Sequence, residues 1–437
     1  MTARLLAALC LMETERGGYS NLVFKRAAQR YPLGETDTAF CAALFYRTLE
    51  RQITIDHLLS GFLSRGIDKL DAEVRAVLRS GACQLFYMDG VPDYAAINES
   101  VKLCRQLRKS SASAFVNAVL KRLRAYDINS LRDYLDSPDG LSVFYSLNPL
   151  LCQLLTRQYR ASAEDIMRGF FAGEKQTLRV NTLKTHSGAV KEALKKEGIE
   201  TVVTPIADCL AVESGNALKS SLFADGSLRV QSYGSQAAVQ ALSPRPGTRM
   251  IDLCSAPGGK ALTAAELMGG RGEIIAVDRH PGRLKLLEER ARIQGTGMIS
   301  VREADCSVFM AEFERTADCV LADVPCSGYG KIGTKPELRQ KAPESDGSLQ
   351  KTQYAILSNS AGYLKPGGRL VYCTCTLDKR ENSHPAKRFL AETNGEYRAV
   401  SDIAVPGFSV DEDGFLTLLP SDAGSEGFFI AVFERAD

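Results

Sequence analysis

The sequence predicts an α/β fold in which a doubly wound, mostly parallel sheet occupies residues 236–437. Three observations predict it. Short strands alternate there with helical segments, the strands are apolar along nearly their whole length, and glycine, aspartate and cysteine gather where the strands end. Continuous apolar strands are typical of a parallel sheet that helices cover on both faces. A small α+β module at 127–235 and an all-helical domain at 1–126 are predicted to precede this sheet.

The composition is typical of a globular protein with two or three domains, since 45% of the 437 residues are apolar and 24% are charged. No apolar run approaches the roughly 18 residues of a membrane span, and no signal cleavage site follows the first apolar stretch. We therefore expect a cytoplasmic protein. Twelve cysteines are too few for a disulfide scaffold of this length, and the four histidines do not cluster, so we expect reduced thiols and no metal.

Residues 1–126 are predicted to be helical because apolar residues recur three and four positions apart in "TAFCAALFYRTLERQITIDHLLSGFL" and "VRAVLRSGACQLFYM". This region holds 18 Lys and Arg against 12 Asp and Glu, a net charge of +6, whereas the rest of the chain holds 36 against 40, a net charge of −4. Lys102, Arg105, Arg108 and Lys109 form a basic stripe. This asymmetry favours a polyanionic partner, although a solvated basic helix face is the more common interpretation.

The module at 127–235 is predicted to mix strands with a helix. "TLRVNTLKTH" and "TVVTPIADCLAVES" are typical of strands, and "SGAVKEALKKEG" is typical of a capped helix that Gly198 closes. "FADGSLRVQS" contains Asp225-Gly226, a pair typical of hairpin turns.

The last domain shows five strands in alternation with helices at 259–268, 281–294 and 348–363, and then a final strand, "EGFFIAVFER". The five strands are "TRMIDLC", "GEIIAVD", "MISVREAD", "ADCVLADVP" and "GRLVYCTC". In such a sheet, ligands bind outside the carboxyl ends of the strands. The residues at those ends are therefore the candidates for a functional site.

A glycine-containing loop follows the first of these strands. It consists of Cys254, Ser255, Ala256, Pro257, Gly258, Gly259 and Lys260. It does not match the phosphate-binding P-loop, since Cys254 and Ala261 stand where that motif needs glycine and Ser or Thr, and the dinucleotide motif G-x-G-x-x-G is absent. The third possible ligand of the loop is a nucleoside cofactor without phosphates, such as S-adenosylmethionine (SAM). Gly258 and Gly259 would let the loop backbone approach this cofactor closely. The alternative is a tight turn without a ligand.

Three aspartates stand at the ends of the next strands. Asp278 lies 24 residues beyond Cys254, near the spacing expected for an acid that binds ribose hydroxyls. Asp305 ends the third strand, where an isolated aspartate is more often a turn residue or a helix cap than a ligand contact. Asp323 ends the fourth strand, three residues before Cys326, and is placed to bind the edge of a pyrimidine.

Two cysteines, Cys326 and Cys375, are predicted at this same edge of the sheet, if the fourth and fifth strands are neighbours. Zinc is disfavoured because the paired spacing of a structural site is missing, and a disulfide is disfavoured in a reducing compartment. Nucleophilic catalysis remains, because a thiolate adds readily to an electron-poor ring such as carbon 6 of cytosine. Cys373, two residues before the end of its strand, is interpreted as core filling.

These motifs together resemble the bacterial 16S rRNA (cytosine-5)-methyltransferase family of the Sun/Fmu type. The resemblance rests on "DLCSAPGGK", "AVDRHPGRL", "ADVPCSGYGKI", "LKPGGRLVYCTCTL" and "EN" at Glu381-Asn382, in order and in spacing. Upstream, "LRVNTLKT" and "FADGSLRVQSYGSQ" are similar to the segment that precedes the catalytic domain in that family. Residues 1–126 are similar, more loosely, to its NusB-like RNA-binding domain, through "INESVKL" and "FVNAVLKRL".

The resemblance implies that SAM is held by the 254–260 loop with Asp278, Asp305 and Asp323. It implies that Cys375 is the attacking thiol and that Cys326 is needed to release the product. Lys260 would offer its charge to a carboxylate. Arg283, one turn into the helix after the second strand, would lie at the cofactor site or face the RNA, unless it is simply solvated.

The sequence departs from the family pattern at three places. "GTKPE" at 333–337 replaces the usual basic residues followed by Pro-Asp, Ser232 follows Gln231 in place of aspartate, and Ala261 replaces threonine. The first of these puts the substrate-contacting loop and the exact target cytosine in doubt.

The resemblance implies a monomeric enzyme that acts on 16S ribosomal RNA or on a pre-ribosomal particle. Three alternatives share parts of the sequence evidence: a cytosine-5 methyltransferase of another RNA such as tRNA, a DNA cytosine-5 methyltransferase, and an inactive RNA-binding assembly factor. Thr374-Cys375 disfavours the DNA enzyme, which would not need a second thiol at this edge. The intact glycine loop, Asp323 and Cys375 disfavour the inactive factor.

Overall fold

The structure is a computed structural model that describes residues 1–137, 139–173, 175–403, 405, 407–422 and 425–437. The chain forms two compact units. We call them the helical unit, Met1–Ala161 with Thr334–Pro343, and the sheet unit, Ser162–Gly333 with Glu344–Asp437.

The helical unit is built on amphipathic helices, and buried apolar residues between Ala3 and Val143 form one continuous core. A buried arginine adds a polar link inside it, since the guanidinium of Arg79 donates to both carboxylate oxygens of Asp56 at 2.8 and 2.7 Å and to Glu15 at 3.0 Å. The α-helices are α1 (Ala3–Glu15), α2 (Ser20–Arg30), α3 (Glu35–Glu50), α4 (Gln52–Ser60), α5 (Ala72–Tyr87), α6 (Asp93–Gln106), α7 (Ser113–Leu123), α8 (Gly140–Tyr145) and α9 (Pro149–Tyr159).

The segment Thr334–Pro343 follows Cys326 in sequence but packs as part of the helical unit. The hydroxyl of Ser20 donates to the carboxylate of Glu337 at 2.6 Å. The fully buried guanidinium of Arg339 donates to the carbonyl of Tyr145 at 2.9 Å. Residues 334–337 of "GTKPE", the first departure from the family pattern, therefore lie in a segment that is anchored within the helical unit.

The sheet unit begins with α10 (Ala163–Gly169) and a four-stranded antiparallel sheet with the order β2-β3-β1-β4. The elements of this part are β1 (Thr177–Val180), α11 (Ser187–Lys196), β2 (Glu200–Val203), β3 (Cys209–Ser214) and β4 (Leu228–Val230).

Two details of this part differ from the sequence prediction. "TVVTPIADCLAVES" forms two paired strands, β2 and β3, because the chain turns between them at residues 204–208. The predicted turn at Asp225-Gly226 is present, but it joins no hairpin, because β4 pairs with β1 and not with β3. Asp225 instead accepts a hydrogen bond from the backbone N–H of Ser227 at 2.8 Å in a local turn.

The large sheet has the order β10-β12-β9-β8-β5-β6-β7, with β11 paired to β12. The pairs among β5, β6, β7, β8 and β9 are parallel, and β12 is antiparallel to β9. Its elements are α12 (Tyr233–Leu242), β5 (Arg249–Leu253), α13 (Gly259–Leu267), β6 (Glu273–Asp278), α14 (Pro281–Gln294), β7 (Ile299–Glu303), β8 (Ala317–Asp323), α15 (Ser348–Gly362), β9 (Leu364–Thr374), α16 (Ser383–Glu392), β10 (Tyr397–Ala399), β11 (Leu416–Leu418) and β12 (Phe428–Arg435).

The predicted doubly wound fold is confirmed, with its six predicted strands and three predicted helices. Alternate residues of β5 point to opposite faces, so Met250 packs with α12 and α13 while Ile251 packs with α15. The chain runs from β5 outward through β6 and β7 on one side and continues with β8 and β9 on the other. The carboxyl ends of β5 and β8 therefore flank the switch point at which such sheets bind ligands.

Candidate active site

A cavity of about 310 Å³ opens at the carboxyl ends of β5, β6, β8 and β9. This volume lies at the lower end of the range for small-molecule sites. Nine residues predicted for the site line it: Cys254, Ala256, Pro257, Asp278, Arg283, Asp305, Asp323, Cys326 and Cys375. Ser255, Gly258, Gly259 and Lys260 do not line it. Sequence reasoning missed several lining residues, among them His280, Cys306 and Thr352.

The loop after β5 is held by buried polar groups. The backbone N–H of Ser255 donates to the carbonyl of Val277 at 2.9 Å, and its hydroxyl donates to the carboxyl of Asp252 at 2.6 Å. Burial raises the pKa of Asp252 to about 7. Cys254 adopts a positive φ of 58°, which turns the chain sharply out of the strand. The anchoring of Ser255 therefore fixes the path of the loop beside the cavity.

Gly258 is required by conformation and by packing. Its φ is +96°, and a Cβ atom there would lie 2.5 Å from Cγ of Leu287 on α14. Gly259, by contrast, has space, since its nearest neighbour would be 3.9 Å away. The two adjacent glycines therefore have different roles, and Gly258 is the one that lets α13 and the loop pack on α14.

We expect Gly258→Ala to lower the free energy of unfolding of the sheet unit by roughly 2–4 kcal/mol, because it combines left-handed strain with overpacking. Gly259→Ala is the matched control and should leave the melting temperature close to that of the wild type. Thermal unfolding of both variants, followed by circular dichroism, tests this difference. Equal melting temperatures for the two variants would contradict it.

Asp278 closes the loop from the neighbouring strand. Its buried carboxylate accepts hydrogen bonds from the backbone N–H groups of Ala256 at 3.1 Å and His280 at 2.9 Å. The half-exposed guanidinium of Arg283 donates to the carbonyl of Ala256 and lies 3.8 Å from Asp278. Arg283 thus contacts the loop itself.

Asp305 and Cys306 form the next part of the cavity wall. Asp305 is exposed and accepts hydrogen bonds from the hydroxyl and backbone N–H of Ser307, which lower its pKa. It therefore has the turn geometry that an isolated aspartate was expected to show, and it still lines the cavity. A hydrogen bond with Cys306, together with burial, raises the pKa of Cys254, so the Cys254 thiol stays protonated.

Lys260 and Asp323 form an ion pair beside the cavity, with Nζ 2.6 Å from Oδ2. Burial alone would lower the pKa of Lys260, but the charge of Asp323 raises it, so the ammonium group stays charged. The other carboxylate oxygen of Asp323 lies 3.6 Å from Sγ of Cys373. Cys373 is fully buried in the core, as interpreted from the sequence.

The sulfur atoms of Cys326 and Cys375 lie 3.3 Å apart. Because β8 and β9 are parallel neighbours with Asp323 opposite Cys373, residues just beyond these two positions meet at the same edge. The hydrogen bond with Cys375, together with burial, raises the pKa of Cys326 well above its usual value. Cys326 therefore remains a protonated thiol that can donate its S–H to the sulfur of Cys375.

This fold and site are those of the class of SAM-dependent methyltransferases: a cavity lies at the switch point of the sheet, beside a loop that turns sharply at Cys254 and Gly258 and is bound by the carboxylate of Asp278. The residues present fit SAM. The carboxylate of Asp278 keeps acceptor capacity beyond its two backbone hydrogen bonds and would hold the ribose hydroxyls. Asp305 would hold the adenine, and the backbone of the 254–260 loop would hold the rest of the SAM molecule.

Comparisons with known proteins agree with this class. The family model described as "16S rRNA methyltransferase RsmB/F" matches residues 239–434, and the model described as "NusB family" matches residues 1–125. The "Probable ribosomal RNA small subunit methyltransferase B" of Synechocystis sp. is 33% identical over 100% of both chains. The protein of the same name from Bacillus subtilis is 31% identical over 98% of this chain and 97% of its own.

A crystal structure of PH0851 has a TM-score of 0.85 with 26% identity, and the match covers 100% of this chain and 99% of that one. The chain belongs to the 16S rRNA methyltransferase RsmB/F family, and it is a SAM-dependent RNA methyltransferase.

Two features are absent from the residues that the structure describes. Among them, no helix is both long and apolar enough to cross a membrane. Within the same part of the chain, no group of three or more His, Cys, Asp or Glu side chains is arranged to hold a metal ion.

Proposed function

We propose that this enzyme methylates carbon 5 of a cytosine in 16S ribosomal RNA through a covalent bond between Cys375 and carbon 6. The observation that supports it most is the pair of thiols 3.3 Å apart on the wall of the cavity that Asp278, Asp305 and Asp323 also line. Methylation at oxygen or at an exocyclic nitrogen needs no thiol nucleophile, whereas carbon 5 of cytosine is too electron-poor to be methylated directly.

In the proposed reaction, the thiolate of Cys375 adds to carbon 6, and the electron pair of the 5,6 double bond becomes available at carbon 5. SAM supplies an electrophilic sulfonium methyl group when bound. After carbon 5 has taken the methyl group, its proton leaves to a base, the bond between sulfur and carbon 6 breaks, and the double bond re-forms. Cys326, next to the attacking sulfur, is positioned to assist this release.

Asp323 is proposed to bind the pyrimidine edge and to favour ring protonation during thiolate addition. Lys260 holds one oxygen of this carboxylate at 2.6 Å and fixes its orientation. The enzyme would thereby align the ring and the thiolate, which is the main source of rate enhancement that such a site offers.

The helical unit is proposed to bind the RNA, and its basic stripe is partly neutralised. Lys102 pairs with Glu99 and Lys109 with Asp71, each at 2.7 Å. Arg105 and Arg108 are exposed and make no ion pair among the residues that the structure describes. These two arginines are therefore the best candidates in the stripe for contacts with phosphates.

Methylation mapping of ribosomal RNA tests the proposed substrate. RNA from a strain that lacks the enzyme should miss 5-methylcytosine at one position of 16S rRNA, and the wild-type gene should restore it. Loss of a mark in tRNA instead would support the tRNA enzyme. A modification pattern identical in both strains would support the inactive assembly factor.

A further inference from the structure

A buried carboxylate, Glu381, lies behind the two thiols, outside the cavity wall. Its Oε2 atom accepts a hydrogen bond from the backbone N–H of Ser327 at 2.8 Å and another from Nε2 of Gln353 at 2.9 Å. Ser327 directly follows Cys326. The carboxylate of Glu381 therefore fixes the backbone on the carboxyl side of this thiol.

Gln353, on α15, fixes the other side of Cys326. Its side-chain N–H₂ group also donates to the carbonyl of Pro325 at 2.9 Å, so both of its N–H bonds are used. Gln353 is fully buried. Cys326 is thus held between two hydrogen bonds that meet at Gln353 and Glu381.

The same network reaches Cys375. The hydroxyl groups of Ser327 and Thr376 lie 2.7 Å apart, and Thr376 directly follows Cys375. The phenol of Tyr372, on the strand that carries Cys375, donates to the backbone carbonyl of Glu381 at 2.6 Å. All of these groups are buried, so water does not compete for these hydrogen bonds.

The charges that act most strongly on Cys326 disfavour its thiolate. They come from Cys375, Glu381 and Asp323, and the phenol of Tyr372, whose pKa burial raises well above its usual value, stays neutral. The charge of Asp323 is paired with Lys260. Burial raises the pKa of Glu381, but its hydrogen bonds with Ser327 and Gln353 oppose this shift and favour the carboxylate. No cation pairs with Glu381 among the described residues.

We propose that Glu381 is a positioning residue that holds Cys326 against Cys375 and whose negative charge keeps the proton on Cys326, so that Cys375 is the thiol free to attack. This rests on the proposed function in one respect only, the assignment of Cys375 as the nucleophile. The division of protons between the two thiols is a property of the free protein.

Alkylation by iodoacetamide across a range of pH, with mass spectrometry of each cysteine, tests the proposal without RNA or SAM. In the wild type, Cys375 should react at lower pH than Cys326. Glu381→Gln keeps the size of the side chain and removes its charge, and it should speed alkylation of Cys326 about tenfold at a fixed pH. Glu381→Asp, which keeps the charge, should retain the slow alkylation of Cys326.

The control is Glu392→Gln, which removes an exposed carboxylate from α16 and should change neither thiol. Unchanged alkylation of Cys326 in folded Glu381→Gln would overturn the proposal. If Glu381→Gln does not fold, Gln353→Leu tests the same network. It should lower kcat about tenfold or more with an unchanged KM for SAM, and an unchanged kcat would overturn the proposal.

A failure of the proposed function would give a different result. In that case Cys375 would still react at lower pH than Cys326, and Glu381→Gln would still speed alkylation of Cys326. No 5-methylcytosine would form in the RNA.

Discussion

Cys375→Ala should abolish methyl transfer, with a loss of roughly 10⁴-fold or more, and it should abolish any covalent bond between the protein and RNA. The reason is that, in the proposed reaction, no other group can activate carbon 5. Cys326 is 3.3 Å away, but burial and the charges of Glu381 and Asp323 still raise its pKa when Cys375 is removed. Cys373 is fully buried, so neither thiol can replace Cys375.

Incorporation of tritiated methyl groups into 16S rRNA transcripts measures this loss. Cys319→Ala is a suitable control, because Cys319 lies on β8 in the core and does not line the cavity. It should keep most of its activity at a small loss of stability. Residual activity of Cys375→Ala above a tenth of the wild-type rate would contradict the assignment of this nucleophile.

Cys326→Ala should produce the opposite phenotype, in which an RNA–protein adduct accumulates. Cys375 remains able to add to carbon 6, but the thiol that assists release is missing. We expect a slowly migrating band on denaturing gels that nuclease treatment removes, together with a strong loss of turnover.

The double variant Cys326→Ala with Cys375→Ala should form no such band, which shows that the adduct passes through Cys375. If Cys326→Ala instead turns over normally, or if its adduct survives removal of Cys375, then the roles of the two thiols are assigned wrongly.

The sequence predicted the large sheet well because its signals are local. Each parallel strand is a continuous apolar run, and each functional loop follows its strand directly in sequence. The prediction that Cys326 and Cys375 meet depended on the pairing of β8 with β9, which the structure confirms. Helices α12 and α16 were missed. Both lie outside the alternation from β5 to β9 on which the three predicted helices rested, since α12 precedes β5 and α16 follows β9.

The parts of the site that escaped prediction depend on contacts between residues far apart in sequence. Gly258 was assigned to cofactor approach, but its Cβ direction meets Leu287, on the next helix. The sequence shows Glu381 only as part of a family motif. Its hydrogen bond with the backbone N–H of Ser327 joins positions 54 residues apart, which come together only when β8 and β9 pair. Likewise, the sequence of the basic stripe did not predict the ion pair between Lys109 and Asp71.

The most direct test of the central claim is to identify the cysteine that bonds to the base. RNA that contains 5-fluorocytosine at the target position should trap the wild-type enzyme, because carbon 5 then has no proton to lose. After digestion with trypsin and nuclease, the modified nucleotide should be found on peptide 370–379, with fragmentation placing it on Cys375. Attachment to peptide 316–331 through Cys326, or the absence of any adduct when SAM is present, would contradict the account.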